Sequence, residues 1–272
     1  MLHLVCALKC EAQGVIDLLK MAPHKTSTLF DTYLDPSGRI SLTVSGIGKT
    51  NSSSAVIHAY MLFKDCQNHG WLNFGIAGHA NYAKATPVLT VKIIDQATGK
   101  TWYPQTLFKP ACFTATLVTV DNPSSEYQDT AMYDMEASGF FESAAKVSSL
   151  ELCHSIKIIS DNNIQDIQHI NKTTVIKLME QNLDMISLIA DEIIKLINIG
   201  DREVYDQSLY LNLTTRHHFT HSQKLQLIKL LKRWQLIQGG ETDKIPHQRK
   251  FSSSTEILEY LDTSLNEINY SL

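Results

Sequence analysis

The sequence predicts an α/β fold with a mixed or largely parallel central sheet flanked by helices. Over the first two hundred residues, short apolar runs alternate with segments whose apolar residues recur at helical spacing. Such alternation is typical of a sheet with helices on both faces. After residue 200 only helical patterns continue, which indicates an α/β domain over 1–200 and a helical C-terminal appendix over 201–272.

The first three strands are predicted within the first eighty residues. Residues 2–8 (LHLVCAL) form a predicted buried strand, and a helix follows over 11–19. Residues 39–45 (RISLTVS) form a second predicted strand, and its helix covers 50–63. Residues 71–78 (WLNFGIAG) form a third strand that enters a glycine turn.

The rest of the domain continues this alternation. Residues 87–95 and 112–120 have the composition of strands, which belong either to hairpins or to the central sheet. A helix with small residues that permit close packing is predicted over 135–147. A strand at 155–161 (SIKIISD) and one long amphipathic helix over 173–198 complete the domain.

The appendix carries helical patterns and no motif that indicates its role. Apolar residues recur at roughly helical spacing over 221–238, which predicts a helix. Residues 239–254 are polar and predict a linker or loop, and a last short helix is predicted near 255–265.

Composition excludes several classes of protein. The net charge of −4 gives no attraction to nucleic acid or to an anionic membrane, so neither is expected as a partner. The five cysteines are scattered and odd in number, which is typical of reduced thiols in a cytoplasmic protein. The amino-terminal apolar stretch is too short and too soon charged for a signal peptide or a membrane span. We therefore expect a cytoplasmic protein.

The stretch VSGIGKTNSS (44–53) contains Gly48-Lys49-Thr50 and so suggests a phosphate-binding loop. That pattern requires a glycine five residues before Gly48, but Thr43 stands there, and its Cβ disfavours the tight turn around a phosphate. What remains is a glycine turn between a strand and a helix, whose N-terminus could hold a polar ligand. An ATPase or GTPase is therefore not expected.

Three acids fall where a ligand site is expected. Ligands of open α/β sheets collect at the carboxyl ends of the strands. Glu11 follows the first strand, Asp161 ends the strand at 155–161, and Glu136 lies at the start of the helix predicted over 135–147. Each alone has an ordinary structural interpretation, as a first-turn acid favoured by the helix dipole or as a helix cap. Together they predict one polar cleft.

Five segments of the first two hundred residues form a recognisable set: ALKCEA (7–12), VSGIGKTNSS (44–53), NFGIAG (73–78), MEASGFF (135–141) and IISD (158–161). Their order and spacing resemble the nucleoside phosphorylase superfamily and, most closely, its methylthioadenosine/S-adenosylhomocysteine nucleosidase branch. The combination extends over about residues 1–198 and is more specific than any single motif. The resemblance implies a phosphorylase-type mixed sheet, a nucleoside substrate and an enzyme of nucleoside metabolism.

The resemblance also implies roles for individual residues. Asp161 would be the general acid that protonates the purine at N7, and Glu11 would orient and deprotonate the water that attacks C1′. Glu136 would hold the ribose hydroxyls, and Met135 would pack against the sugar. These roles suit the reaction, because cleavage builds positive charge on the sugar and a purine leaves poorly as an anion. Further substrate contacts are expected from Ile76, Ala77, Gly78 and Ser160.

The sequence departs from the family pattern at two places. Ile76 stands where the nucleosidases usually have a serine that helps to hold the attacking water. The segment TVDNPSSEY (119–127) replaces the stretch whose phenylalanine stacks on the purine, which leaves Tyr127 and Phe74 as alternatives for that role. The base and the 5′-substituent therefore stay open.

Two alternatives to a purine nucleosidase remain. The first is a phosphate-dependent nucleoside phosphorylase, which would bind its dianion best through arginine. No arginine stands beside the glycine turns or Glu11, and Arg39 begins its strand at the end opposite the cleft. The second is a non-catalytic nucleoside-binding protein, which the three acids oppose.

Neither a metal nor another cofactor is expected. The sequence HHFTH (217–221) has no acid or thiol at ligand spacing, and Cys6 and Cys10 have no second ligand pair. A homodimer is expected, because two-fold pairs are the commonest closed assemblies. The candidate contact segments are the apolar stretches at 102–108 and 140–141.

Overall fold

The computed structural model describes residues 1–27, 29–66, 68–123, 127, 130–162, 171–201, 207–237 and 251–269. The chain divides into two compact units, Met1–Ile194 and Lys195–Leu272. The strands are β1 (Leu2–Cys6), β2 (Ala22–Pro23), β3 (Asp31–Leu34), β4 (Ile40–Val44), β5 (Gly70–His79), β6 (Pro87–Asp95), β7 (Thr101–Trp102), β8 (Phe113–Thr119), β9 (Ala131–Asp134) and β10 (Cys153–Asp161). The helices are α1 (Lys9–Leu18), α2 (Lys49–Leu62), α3 (Ala137–Val147), α4 (Lys172–Glu180), α5 (Leu183–Asp201), α6 (Gln207–Arg216), α7 (His221–Ile237) and α8 (Ser254–Asn269).

The strands of the first unit form one mixed sheet, which confirms the predicted fold class. Its centre is parallel, in the order β4, β1, β5, β10, and β3 and β2 extend it antiparallel beyond β4. From β10 the sheet continues through β6, β8 and β9, and β9 pairs with the end of β5. The sheet therefore closes on itself around five strands. β6 and β8 run parallel in the central sheet and so do not form a hairpin with each other, whereas β6 forms an antiparallel hairpin with the short strand β7.

The connections explain why helices cover both faces of the sheet. β1 lies between β4 and β5 in the sheet. The connection from β1 to β4 contains α1 and runs in one direction across the sheet, whereas the connection from β4 to β5 contains α2 and runs in the opposite direction. Right-handed crossovers in opposite directions place their helices on opposite faces. Because both faces are covered, β1 and β10 are buried along their whole lengths. The carboxyl ends of the four parallel strands meet at one edge.

The core of the first unit includes Trp71, Phe140 and Phe141, each of which is 0% exposed. The sequence-based assignment of residues 140–141 to a subunit contact is therefore wrong. Their helix, α3, is amphipathic and turns this aromatic pair inward against the sheet. The other candidate segment, at 102–108, includes Tyr103, which is exposed.

The long helix predicted over 173–198 is two helices, α4 and α5, separated at Gln181 and Asn182. The side-chain amide of Asn182 donates to the carbonyl oxygens of Leu178 and Ala85 at 2.9 and 3.1 Å. An asparagine that bonds to the backbone in this way competes with helical hydrogen bonds. The apolar spacing continues across the break, so periodicity alone predicted one helix.

The second unit has its own apolar cluster, which α6, α7 and α8 build. The cluster contains Leu227, Leu231, Trp234, Leu261 and Leu265. The structure confirms the helices predicted near 221–238 and 255–265, whereas α6 was not predicted. Of the predicted loop over 239–254, residues 239–250 lie outside the described residues. Within the described part of the chain, no helix is both long and apolar enough to cross a membrane.

A close helix contact brings two helix N-termini together at the carboxyl edge of the sheet. Gly139 in the first turn of α3 lies against the backbone carbonyl of Lys49, the first residue of α2, and a Cβ at Gly139 would overlap that carbonyl. The absence of a side chain at Gly139 therefore sets how closely α2 and α3 approach.

We expect Gly139→Ala to lower the free energy of unfolding by about 1–3 kcal/mol, because the added methyl group meets backbone that cannot move aside. The midpoint of urea unfolding measures this change. The matched control is Gly14→Ala in α1, where the new Cβ would lie 3.1 Å from a flexible Leu183 methyl group. The control should stay within about 1 kcal/mol of wild type. Equal stability of the two variants would contradict the packing account.

Candidate active site

A cavity of about 300 Å³ opens at the carboxyl edge of the parallel strands. This volume is at the lower end for small-molecule sites. Its walls come from the segments that follow β1 and β4, from the ends of β5 and β10, and from the start of α3. The cavity brings together all eight residues proposed from the sequence, whose roles stay predictions. They are Glu11, Ile76, Ala77, Gly78, Met135, Glu136, Ser160 and Asp161.

The Glu11 carboxylate links α1 to β5 through two hydrogen bonds. Its Oε2 accepts a hydrogen bond from the Leu8 N–H at 2.8 Å, and its Oε1 accepts one from the Ile76 N–H at 3.0 Å. The bond from Leu8 caps the N-terminus of α1, so Glu11 does have the ordinary structural role of a first-turn acid. A Cβ at Gly75 would lie 2.8 Å from Oε1, so glycine is needed for the second bond. Burial raises the pKa of Glu11, although the two N–H bonds and the charge of Lys157 oppose the rise.

Glu136 occupies the glycine turn that resembled a phosphate-binding loop. Its Oε1 accepts a hydrogen bond from the Gly48 N–H at 2.9 Å, and its Oε2 lies 3.4 Å from the Met135 N–H. The turn requires glycine, because Gly46 and Gly48 have φ angles of 80° and 101°. Burial, and then the charge of Asp134, raises the pKa of Glu136 to about 7. The turn thus binds a carboxyl group that the protein itself supplies.

A β-bulge directs Asp161 into the cavity. The register of β10 against β5 shifts between Ile159 and Asp161, so Ser160 is an extra residue. Asp161 is buried, and its Oδ1 accepts a hydrogen bond from the Ser160 hydroxyl at 2.5 Å. Its Oδ2 accepts one from the Tyr127 hydroxyl. Both carboxylate oxygens of the proposed general acid therefore have donors.

Tyr127 supplies an aromatic wall of the cavity. Its ring lies against Gly78, where a side chain would overlap it, and its centroid is 5.3 Å from that of Tyr133. Phe74, the alternative stacking residue, is buried in β5 and does not line the cavity. Tyr127 remains for that role, and residues 124–126 of the same segment lie outside the described residues.

Sequence reasoning missed an ion pair beneath the acids. Lys157 in β10 is 1% exposed, and its Nζ lies 2.8 Å from Oδ2 of Asp134. Burial lowers the pKa of Lys157, but the charges of Asp134 and Glu136 and the hydrogen bond to Asp134 outweigh it, so the pKa is raised. The signal was a charged residue inside the apolar run IKIIS (156–160), where a buried charge requires a partner. Among the described residues, no three His, Cys, Asp or Glu side chains are grouped to hold a metal ion.

We expect Glu136→Gln to be more stable than wild type at pH 8 and similar to it at pH 5. The pKa of Glu136 is raised from 4.5 to about 7, so the folded protein holds this proton more tightly than the unfolded chain does. The stability that the proton provides is complete below about pH 4.5 and is lost as the pH rises through about 7. Glutamine keeps the neutral form at both pH values. The difference at pH 8 should be on the order of 1–3 kcal/mol.

Urea unfolding of wild type and variant at the two pH values checks this expectation. The control is Glu142→Gln, because Lys146 and Lys100 lower the pKa of Glu142 and keep it ionised. The control should gain no stability at pH 8. A constant difference between Glu136→Gln and wild type across this range would contradict the raised pKa.

Comparison with protein-family models and with curated protein sequences finds no match. Solved structures do match. A variant of the methylthioadenosine/S-adenosylhomocysteine nucleosidase (MTAN) from Chlamydia trachomatis is 21% identical, with a TM-score of 0.55, over 71% of this chain and 98% of that chain. The 5′-methylthioadenosine nucleosidase of Arabidopsis thaliana is 13% identical, with a TM-score of 0.59, over 71% of this chain and 95% of that chain.

The futalosine hydrolase of Helicobacter pylori is 13% identical, with a TM-score of 0.52, over 70% of this chain and 97% of that chain. At these identities the likeness concerns the fold. It agrees with the phosphorylase-type α/β architecture that the five sequence segments predicted. The chain therefore has the fold of the methylthioadenosine/S-adenosylhomocysteine nucleosidases.

Proposed function

We propose that this protein hydrolyses the N-glycosidic bond of a purine nucleoside, in particular one modified at its 5′ position. The observation that carries the proposal is the convergence of Glu11, Glu136 and Asp161 on one cavity at the carboxyl edge of the sheet. All three are buried, and each is held by a separate element of the fold. Nucleosidases and a futalosine hydrolase among the structures of the same fold support an enzyme of this kind.

On the base side, Asp161 delivers a proton to N7 of the purine as the C1′–N9 bond breaks. The protonated base leaves as a neutral molecule, which removes the main cost of cleavage. Ser160 donates to the other carboxylate oxygen and fixes the direction of Asp161. For the base to reach Asp161, the Tyr127 hydroxyl has to give up its hydrogen bond to Oδ2.

On the sugar side, Glu136 accepts hydrogen bonds from the ribose hydroxyls, and Met135 packs against the ring. The Gly48 N–H uses one lone pair of Oε1, and a carboxylate has about four such sites, so acceptors remain for two hydroxyls. Negative charge close to the sugar also stabilises the positive charge that develops on it.

Water attacks C1′ after activation by Glu11. Its two oxygens each accept one backbone N–H, which fixes the carboxylate at the wall of the cavity, and each oxygen keeps a second lone pair for water. The raised pKa of Glu11 makes it a better proton acceptor than an exposed carboxylate. Glu11 can therefore hold the water although the side chain of Ile76 offers it no hydrogen bond.

The charges of the cavity favour hydrolysis over phosphorolysis. Four carboxylates line it, those of Glu11, Asp134, Glu136 and Asp161, and no arginine or lysine is among the described lining residues. Lys49 does not supply a free cation, since its Nζ lies 3.0 Å from Asp95 and 2.7 Å from Asp121. A phosphate dianion beside C1′ would therefore face these acids with no arginine or lysine among the described lining residues to bind it.

The hydrogen bond from Tyr127 to Asp161 favours a second candidate, a nucleoside-binding protein without catalysis. In that case, the tyrosine would keep the carboxylate from the base and the protein would bind nucleosides unchanged. Release of adenine or hypoxanthine from a panel of nucleosides separates the two candidates.

A cytoplasmic location and a homodimer belong to the same proposal. All five cysteines are free thiols, which suits a reducing compartment. The exposed apolar side chains of Ile47, Tyr103 and Phe113 offer surface for a two-fold contact.

We expect Asp161→Asn to lower kcat by about 10²–10⁴-fold while nucleoside binding stays detectable, because asparagine keeps the shape but cannot deliver the proton. Base release is followed chromatographically, and binding is followed by calorimetry. The matched control is Asp31→Asn, which makes the same change at an exposed acid at the start of β3 and should keep wild-type turnover. Wild-type turnover in Asp161→Asn would mean that another group is the acid.

We expect the rate to be the same in phosphate-free buffer and in millimolar phosphate, with free pentose as the sugar product in both. The reason is the acidic lining of the cavity described above. Mass spectrometry of the sugar product provides the measurement. A pentose 1-phosphate that forms only with phosphate would identify a phosphorylase and contradict hydrolysis.

A further inference from the structure

We propose that Lys49, the lysine of the glycine turn, is a positioning residue that holds the Gly48 N–H against Glu136. This inference rests on the proposed role of Glu136 in sugar binding. It assigns a task to the Gly48-Lys49-Thr50 sequence, which the proposed reaction leaves without one.

Two acids outside the cavity fix the Lys49 side chain. Its Nζ lies 3.0 Å from Oδ2 of Asp95, at the end of β6, and 2.7 Å from Oδ1 of Asp121, after β8. The lysine is 23% exposed and Asp95 is buried, so solvent screens the first pair less than a surface pair. Lys49 thereby ties the first residue of α2 to the closed part of the sheet.

Asp95 extends this connection to α3. Its Oδ2 also accepts a hydrogen bond from the Ser138 hydroxyl at 2.7 Å, in the first turn of α3. The N–H and hydroxyl of Thr98 hold its Oδ1, both at 2.9 Å. Burial raises the pKa of Asp95, but the hydrogen bonds from Ser138, Lys49 and Thr98 outweigh it and hold the pKa at about 2. Asp95 is therefore an ionised link between the first turns of the two helices.

The contacts of Lys49 and Ser138 with Asp95 affect Glu136 through the peptide group between Gly48 and Lys49. Gly48 is the N-cap of α2, Glu136 is the N-cap of α3, and the Gly48 N–H lies 2.9 Å from Oε1 of Glu136. The contact of Gly139 with the Lys49 carbonyl sets the spacing of the helices, and the lysine side chain sets their alignment at the cavity. Release of Lys49 would leave Gly48, with its unrestricted φ, free to turn its N–H away.

The first test needs no substrate. The carboxyl carbon of Glu136 is titrated by NMR in wild type, Lys49→Met and Asp95→Asn, and its signal is assigned by its loss in Glu136→Gln. The charged groups that face Glu136, namely Asp134, Lys157 and Glu11, are the same in these three proteins. Circular dichroism verifies that each variant folds, and Lys49→Gln replaces Lys49→Met if the latter does not fold.

The two variants separate positioning from charge. If Lys49 positions Gly48, both variants lose the Gly48 hydrogen bond and the titration midpoint of Glu136 rises in both. If only charge matters, the midpoint rises in Lys49→Met and falls in Asp95→Asn, because the first loses a cation and the second loses an anion. That opposite response, or no change in either variant, would overturn the proposal.

The second test uses the reaction. A misplaced Glu136 should lower kcat/KM by about 10–100-fold in Lys49→Met and in Asp95→Asn. Most of the loss should appear in KM, because Glu136 holds the sugar before as well as during cleavage. Lys49→Arg should stay close to wild type, since its guanidinium can pair with both acids.

The matched control is Lys100→Met, which removes an exposed lysine paired with Glu142 at 3.3 Å and should leave kcat and KM unchanged. Wild-type kinetics in Lys49→Met would overturn the positioning role. If wild-type protein releases no base from any nucleoside, the proposed function fails, and the NMR titration alone decides about Lys49.

Discussion

The buried ion pair between Lys157 and Asp134 is the interaction on which the cavity depends. Four carboxylates line about 300 Å³ at one edge of the sheet, and their mutual repulsion would oppose folding without a nearby cation. The Lys157 ammonium, 2.8 Å from Asp134, supplies that charge from inside β10. Removal of either partner of such a pair would leave an unpaired buried charge, which is strongly destabilising. The cavity is thus an acidic site whose charge is balanced in part by the buried Lys157 ammonium.

Much of the fold and the acids of the site could be predicted from the sequence, because both depend on local signals. Alternating apolar runs predicted the central strands, and the rule that ligands collect at carboxyl ends predicted that Glu11, Glu136 and Asp161 converge. The break at Asn182 could not be predicted, since the Ala85 carbonyl that it binds is distant in sequence. Strands such as β7 and β9 are too short for a periodic pattern to identify them.

The glycine turn at 46–48 shows why a local motif does not determine its ligand. Positive φ angles and a free helix N-terminus favour an anion in any protein. Which anion binds is decided by residues far along the chain. Here Glu136 occupies the position, and Asp95 and Asp121 form ion pairs with Lys49. The closure of the sheet brings these acids together, and no pattern within the turn itself encodes that closure.

The most direct test of the convergent carboxylates is a crystal structure with a C-nucleoside, whose carbon–carbon glycosidic bond cannot be hydrolysed. The account predicts that the sugar hydroxyls lie on Glu136, the base lies within hydrogen-bond distance of Asp161 with Tyr127 displaced from it, and a water lies between Glu11 and C1′. A nucleoside bound away from the cavity, or bound in it with the Tyr127–Asp161 hydrogen bond intact, would contradict the account.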